Sequence, residues 1–120
     1  MKYILLIYNN PAAMAAMSPT DRDKVFAEVD EIMKKLTATG EMVGGQALAD
    51  PSQTKTVRMR PGVPAVTDGP FMEAKEHLAG YLIVETETVE RAVEIAQRWP
   101  DARFGAMEVR PIMDTAGIEM

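Results

Sequence analysis

Two stretches of the chain are apolar without alternation, Tyr3-Ile4-Leu5-Leu6-Ile7-Tyr8 and Gly80-Tyr81-Leu82-Ile83-Val84. Continuous apolar runs of this length suit strands that are covered on both faces. Asn9-Asn10-Pro11 ends the first run, and the small residues from 12 to 17 read as a Met-containing loop. A helix is predicted from Pro19 to Thr39. Ser18 is a natural N-cap, Pro19 suits the first helical position, and Asp21 stands where a capping box needs an acidic partner. Val25, Val29, Ile32, Met33 and Leu36 recur at helical spacing, while Asp30/Lys34 and Glu31/Lys35 form i,i+4 pairs on the other side. Gly40 is the expected stop.

Glu41 to Ala49 predicts the next strand, where Gly44-Gly45 points to a bulge or a close backbone approach. Asp50-Pro51-Ser52 is a turn. Thr54 to Arg60 alternates as a strand, Pro61-Gly62 turns it, and Pro64 to Thr67 returns as a short edge strand. A polar stretch, Glu73-Ala74-Lys75-Glu76-His77, precedes the second apolar run. Thr88 can cap a second helix with an apolar face of Val89, Ala92, Val93, Ala96 and Trp99, stopped by Pro100. Gly105 to Ile112 closes the pattern as a strand, with Met107 and Val109 facing one way and Glu108 and Arg110 the other.

The order is that of an α+β, ferredoxin-like βαββαβ domain with an inserted hairpin. Its antiparallel sheet carries two helices on one face, and its first and third main strands lie in the centre. These are the two apolar runs. Two helices cover only one face of a four-stranded sheet, yet the central strands are apolar at odd and even positions alike. A second copy of the chain would cover the other face, so a homodimer is expected.

Composition narrows the chemistry. One domain is the natural count for 120 residues. A net charge of -5 with dispersed basic residues argues against a nucleic-acid partner. There is no cysteine, which removes disulfides, thiol catalysis and thiolate metal sites, and a single histidine, His77, argues against a His-based metal centre. No apolar run is long enough to span a bilayer as a helix, and the N-terminus lacks a secretory pattern. A cytoplasmic, cofactor-free protein without a membrane partner is the expectation.

Val66-Thr67-Asp68-Gly69-Pro70-Phe71, followed by Glu73, Lys75-Glu76, Leu78 and Gly80-Tyr81, resembles the signature of the YCII-related family in its DGPF subgroup. Glu108-Val109-Arg110-Pro111 resembles that subgroup's closing strand. The resemblance implies a dimeric α+β barrel with a pocket in each subunit. In the family that the chain resembles, some relatives are small lyases or isomerases acting on ring-cleavage products, with a His on the first helix and an Asp just beyond the second strand. Asp50 stands near that Asp position, but the helix from 19 to 39 holds no histidine. The resemblance therefore does not carry a His/Asp mechanism onto this chain. DGPF members also often accompany sigma-factor-type regulators.

Each candidate residue has a structural reading beside a functional one. Asp68 can form an Asx-type corner, with Gly69 extended before Pro70, or can enter the pocket as a base or anchor. Glu73, Lys75, Glu76 and His77 can be a solvated ion-pair edge or acid–base material tuned by burial. Lys75 and Glu76 fall on the motif and are preferred; His77 lies outside it. Phe71 would line the pocket mouth. Tyr81 is either core or a pocket hydroxyl. Arg110 either pairs with Glu108 or grips a substrate carboxylate. Asp68, Lys75 and Glu76 are thus the catalytic candidates, and Phe71, Glu73, Tyr81 and Arg110 the ligand-binding ones. The leading expectation is an enzyme performing cofactor-free acid–base chemistry, an elimination or isomerisation, on a small molecule. The alternatives are a non-catalytic ligand-binding or regulatory module and a motif that serves folding alone.

Overall fold

The structure, a computed structural model, describes residues 1–72 and 74–119. Glu73, one of the ligand-binding candidates, lies outside the described residues. The elements run β1 (Lys2–Asn9), α1 (Pro11–Ala15), α2 (Pro19–Thr39), β2 (Met42–Ala47), a 3₁₀ turn (Pro51–Gln53), β3 (Lys55–Arg60), β4 (Val63–Asp68), β5 (His77–Glu85), α3 (Val89–Arg98), α4 (Asp101–Phe104) and β6 (Ala106–Pro111).

Four strands form one antiparallel sheet in the order β2-β5-β1-β6, and β3-β4 form a separate hairpin. The central pair is β1 and β5, the two continuously apolar runs. Alternation splits each run between two faces. Tyr3, Leu5 and Ile7 of β1, with Leu82 and Val84 of β5, are buried beneath the helices. Ile4, Leu6 and Tyr8, with Tyr81 and Ile83, lie half-buried on the opposite face. The register confirms the split, because Leu5 pairs with both Leu82 and Val109 while Leu6 pairs with Tyr81 and Glu108.

The local signals explain the long elements. Ser18 Oγ accepts from the Asp21 N–H at 3.1 Å, and Gly40 ends α2 at φ 77°, with the Glu41 N–H donating to the Leu36 carbonyl. The paired glycines of β2 serve as expected. The β2–β5 register shifts between Met42 and Gly44, and a Cβ on Gly45 would stand 2.6 Å from the Tyr81 carbonyl oxygen.

Several expectations need correction. Residues 11–15 are a short helix rather than loop, because the Asn10 side chain accepts from the Ala12 and Ala13 N–H groups and Pro11 opens the turn. Pro100 ends α3, but a further helical turn, α4, follows it. On α3 the buried face is Ala92, Ile95, Ala96 and Trp99, whereas Val89 and Val93 are exposed. The observed set is the i, i+3, i+4, i+7 stripe, which turns Ile95 onto the sheet. β5 begins at His77, three residues before the apolar run.

Candidate functional site

At one end of the sheet, β1 and β2 finish and β5 begins. Here Leu48 extends the ladder by donating its N–H to the Ala79 carbonyl at 2.8 Å. The chain then turns through Asp50, whose Oδ1 accepts from the Ser52 N–H at 2.9 Å. This caps the 3₁₀ turn at Pro51 and aims the Asp50 carboxylate beside the start of β5. A groove of about 540 Å³ opens there between the 48–56 segment, Pro70-Phe71 and His77-Leu78. It continues past Asp50, Pro51 and His77 towards Asn9 and Pro11 on one side and Ala74 and Lys75 on the other.

Asp50 and His77 are the residues common to all three parts of the groove that can hold or move a proton. Hydrogen bonding from Ser52 holds the Asp50 carboxyl below its ordinary value against an opposing effect of desolvation, and the charge of His77 adds the weakest pull in the lowering direction. A carboxylate and an imidazole lining one groove are the side-chain types that proton transfer uses. Lys75 brings a cation to the same groove and Phe71 an aromatic wall. The Arg58 guanidinium stands 4.9 Å from the Phe71 ring centroid and so backs that wall. The groove mixes apolar groups such as Leu48, Pro70, Phe71 and Leu78 with a similar number of polar ones.

The structure distributes the remaining expected residues elsewhere. Asp68 ends β4 on the hairpin, with its side chain 82% exposed and paired with Lys55. It forms no Asx turn, since the residue two positions on is Pro70, which has no N–H to donate. Gly69 is not extended but sits at φ 92°, in the region that favours glycine. Its N–H donates to the Thr54 carbonyl and its own carbonyl accepts from the Thr56 hydroxyl, which ties the hairpin root. The Glu76 carboxylate lies over Gly105, 2.7 Å from where a Cβ would stand, and is not among the groove-lining groups. Tyr81 and Arg110 belong to the open sheet face, away from the groove.

That open face has its own polar pair. The Tyr8 pKa is raised above its ordinary value, first by hydrogen bonding with Glu108, then by burial of the phenol and by the Glu108 charge. Among the described residues no group of three or more His, Asp or Glu side chains is arranged for a metal ion, and no helix is long and apolar enough to cross a membrane.

A family model for the YCII-related domain matches residues 1–116. The chain belongs to the YCII-related family. An uncharacterised protein from Rhizobium meliloti is 28% identical over 114 residues, covering 93% of this chain and 92% of that one. A solved structure of 5-chloro-2-hydroxyhydroquinone dehydrochlorinase from Burkholderia phenoliruptrix, in complex with 2,5-dihydroxybenzoquinone, superposes with a TM-score of 0.58 at 14% identity. That match covers 98% of this chain and 99% of the other, and at such identity it shows the fold. This YCII-related chain therefore has the α+β architecture expected from its pattern.

The Asp50–His77 pairing was not found by reading along the chain. In the sequence Asp50 reads as a turn residue near the family Asp, and His77 lies outside the matched motif. The missing signal is spatial. The end of β2 and the start of β5 meet only through sheet pairing, and nothing local to either residue announces the other.

Proposed function

We propose that this YCII-related protein is a small-molecule enzyme that performs cofactor-free elimination or isomerisation in the Asp50–His77 groove. The observation that carries this reading is that the one imidazole and a carboxylate held below its ordinary pKa line the same groove, which also holds a lysine and an aromatic ring. His77 takes a proton from the substrate, and the electron pair left behind forms the new double bond as a leaving group departs. In an isomerisation the same proton returns at another position. Asp50 steadies the imidazolium, and Lys75 holds an anionic oxygen of the substrate. Elimination is the reaction named for the dehydrochlorinase that shares the fold, and hydroxylated ring compounds are accordingly the first substrates to test.

Among the residues preferred from the motif, Lys75 keeps a role as anion holder, and the base becomes His77 in place of Asp68 or Glu76. The functional unit in this reading is a homodimer whose open sheet faces meet, because the half-buried apolar row of Ile4, Leu6 and Ile83 has no cover within one chain. We also assign the chain to the DGPF subgroup, on Asp68 to Phe71 and Glu108 to Pro111.

The test is turnover of a panel of hydroxylated and halogenated ring substrates. His77→Gln is expected to lower kcat by about 10²-fold or more with unchanged thermal stability, and Asp50→Asn by roughly tenfold. Turnover that survives His77→Gln overturns the mechanism. Saturable binding without turnover by the unmodified protein would instead assign a non-catalytic ligand-binding module.

A further inference from the structure

The β3–β4 hairpin is an arm. Neither of its strands packs substantially on another element. The radius of gyration is 16.4 Å, where a compact chain of this length has about 13.6 Å. The register puts Val57 opposite Val66 and Met59 opposite Pro64, so these four share one face of the arm. Val57, Met59 and Val66 are 62%, 58% and 61% exposed. Thr56, Arg58, Ala65 and Thr67 lie on the other face. An isolated two-stranded hairpin is marginal in water, and one with a bare apolar face requires a seat.

The arm does not reach its own sheet. Its root is fixed by the Gly69 N–H to the Thr54 carbonyl at 2.7 Å, by the Thr56 hydroxyl to the Gly69 carbonyl at 2.8 Å and by the Lys55–Asp68 pair. The open sheet face is a second apolar surface on the same molecule, uncovered by the described residues, and an arm that reaches past its own sheet can lie on the partner beside the place where the two sheet faces meet. The sizes favour joining the two between copies. A stable interface needs about 800 Å² per partner. A four-stranded face of strands about six residues long covers only roughly 400 Å² in plan. One hairpin face adds roughly 200 Å², which brings the plan area to roughly 600 Å² and closer to that need.

We propose that the β3–β4 hairpin is a dimerisation arm whose Val57/Met59/Pro64/Val66 face lies on the sheet side of a second copy of this chain, an inference that rests on the two-copy reading above.

Sedimentation equilibrium across protein concentration tests this, with circular dichroism as a check on folding. Val57→Lys and Val66→Lys, both at exposed positions, are expected to weaken the dimer at least about tenfold, because each buries a charge against the partner. Ala65→Lys and Thr67→Lys, on the opposite face of the arm, are expected to leave it unchanged. Ile83→Lys, on the open sheet face, is expected to dissociate it. A dimer that resists both apolar-face variants yet falls apart with Ile83→Lys overturns the arm and spares the two-copy reading. An unmodified protein that stays monomeric overturns both. Equal weakening by variants on the two faces of the arm also overturns it.

Discussion

Tyr8 and Glu108 show how one contact sets a residue's chemistry. The two belong to adjacent strands, β1 and β6, on the sheet face that carries no helix. Because the carboxylate raises the Tyr8 pKa, the neutral phenol is favoured by the fold. The unfolded chain ionises this tyrosine near pH 10, and the folded chain does so only at higher pH. The resulting contribution to stability is therefore fully present below about pH 10 and is lost as the pH rises through the folded value. Glu108→Gln removes the negative charge, and titration of the phenolate absorbance is expected to show Tyr8 ionising at lower pH than in the unmodified protein. Asp50 is the contrasting case, with its carboxyl held down by Ser52 donors and only secondarily by His77. The same residue type at Asp68 meets Lys55 in open solvent, and screening makes such a pair weak. Identical carboxylates thus differ in surroundings and partners according to where the fold places them.

At the scale of elements, the edge strand β2 depends on a side chain that is absent. Gly45 sits opposite Leu82, and a Cβ there would stand 2.6 Å from the Tyr81 carbonyl oxygen and 2.9 Å from a Leu82 methyl. Both neighbours belong to the central strand β5, whose backbone cannot yield without disturbing β1. Gly45→Ala is expected to destabilise the protein by about 1–3 kcal/mol, read as a lower denaturation midpoint with an unchanged m-value. Gly44, which has open space around it, should tolerate alanine at little cost. The contrast matters for the site, since β2 delivers Asp50 to the groove. α3 makes a parallel point. Its buried stripe is Ala92, Ile95, Ala96 and Trp99, and the small alanines let the helix approach β1 closely.

Across the whole molecule, the sheet is locked to its helices by contacts distant in sequence. Arg91 of α3 donates to Glu41 through Nε at 2.8 Å and through an Nη at 2.9 Å, while its other Nη donates to Glu94 at 2.8 Å. The two-pronged contact joins α3 to the α2–β2 corner, and Arg91 holds the Glu41 carboxyl below its ordinary value. A lowered carboxylate pKa means that the stabilisation is present above about pH 4.3 and disappears as the pH falls through the folded value. Arg91→Met is expected to cost about 1 kcal/mol at neutral pH, a modest figure because the arginine is partly exposed. The difference from the unmodified protein should shrink in acid, as measured by thermal melts between pH 3 and pH 7, an approximate range that brackets the ordinary glutamate value.

The pattern of apolar, polar and turn residues by itself determined the order of the strands and the two long helices, the central placement of β1 and β5, and the caps at Ser18, Gly40 and Thr88. These features are legible because they rest on short-range rules, namely periodicity, capping and turn chemistry, that neighbouring residues satisfy by themselves. The family was legible for a related reason, since its motif is contiguous. The helix at 11–15 was missed because one side chain, Asn10, satisfies two backbone donors that composition does not reveal. The groove was missed because it depends on pairing between strands far apart in the chain. Only the tertiary structure brought Asp50 to His77, sent Asp68 out on the hairpin, and separated Tyr81 and Arg110 from the groove. Sheet register decides which ends meet, and register is a property of the whole packed sheet rather than of any one strand.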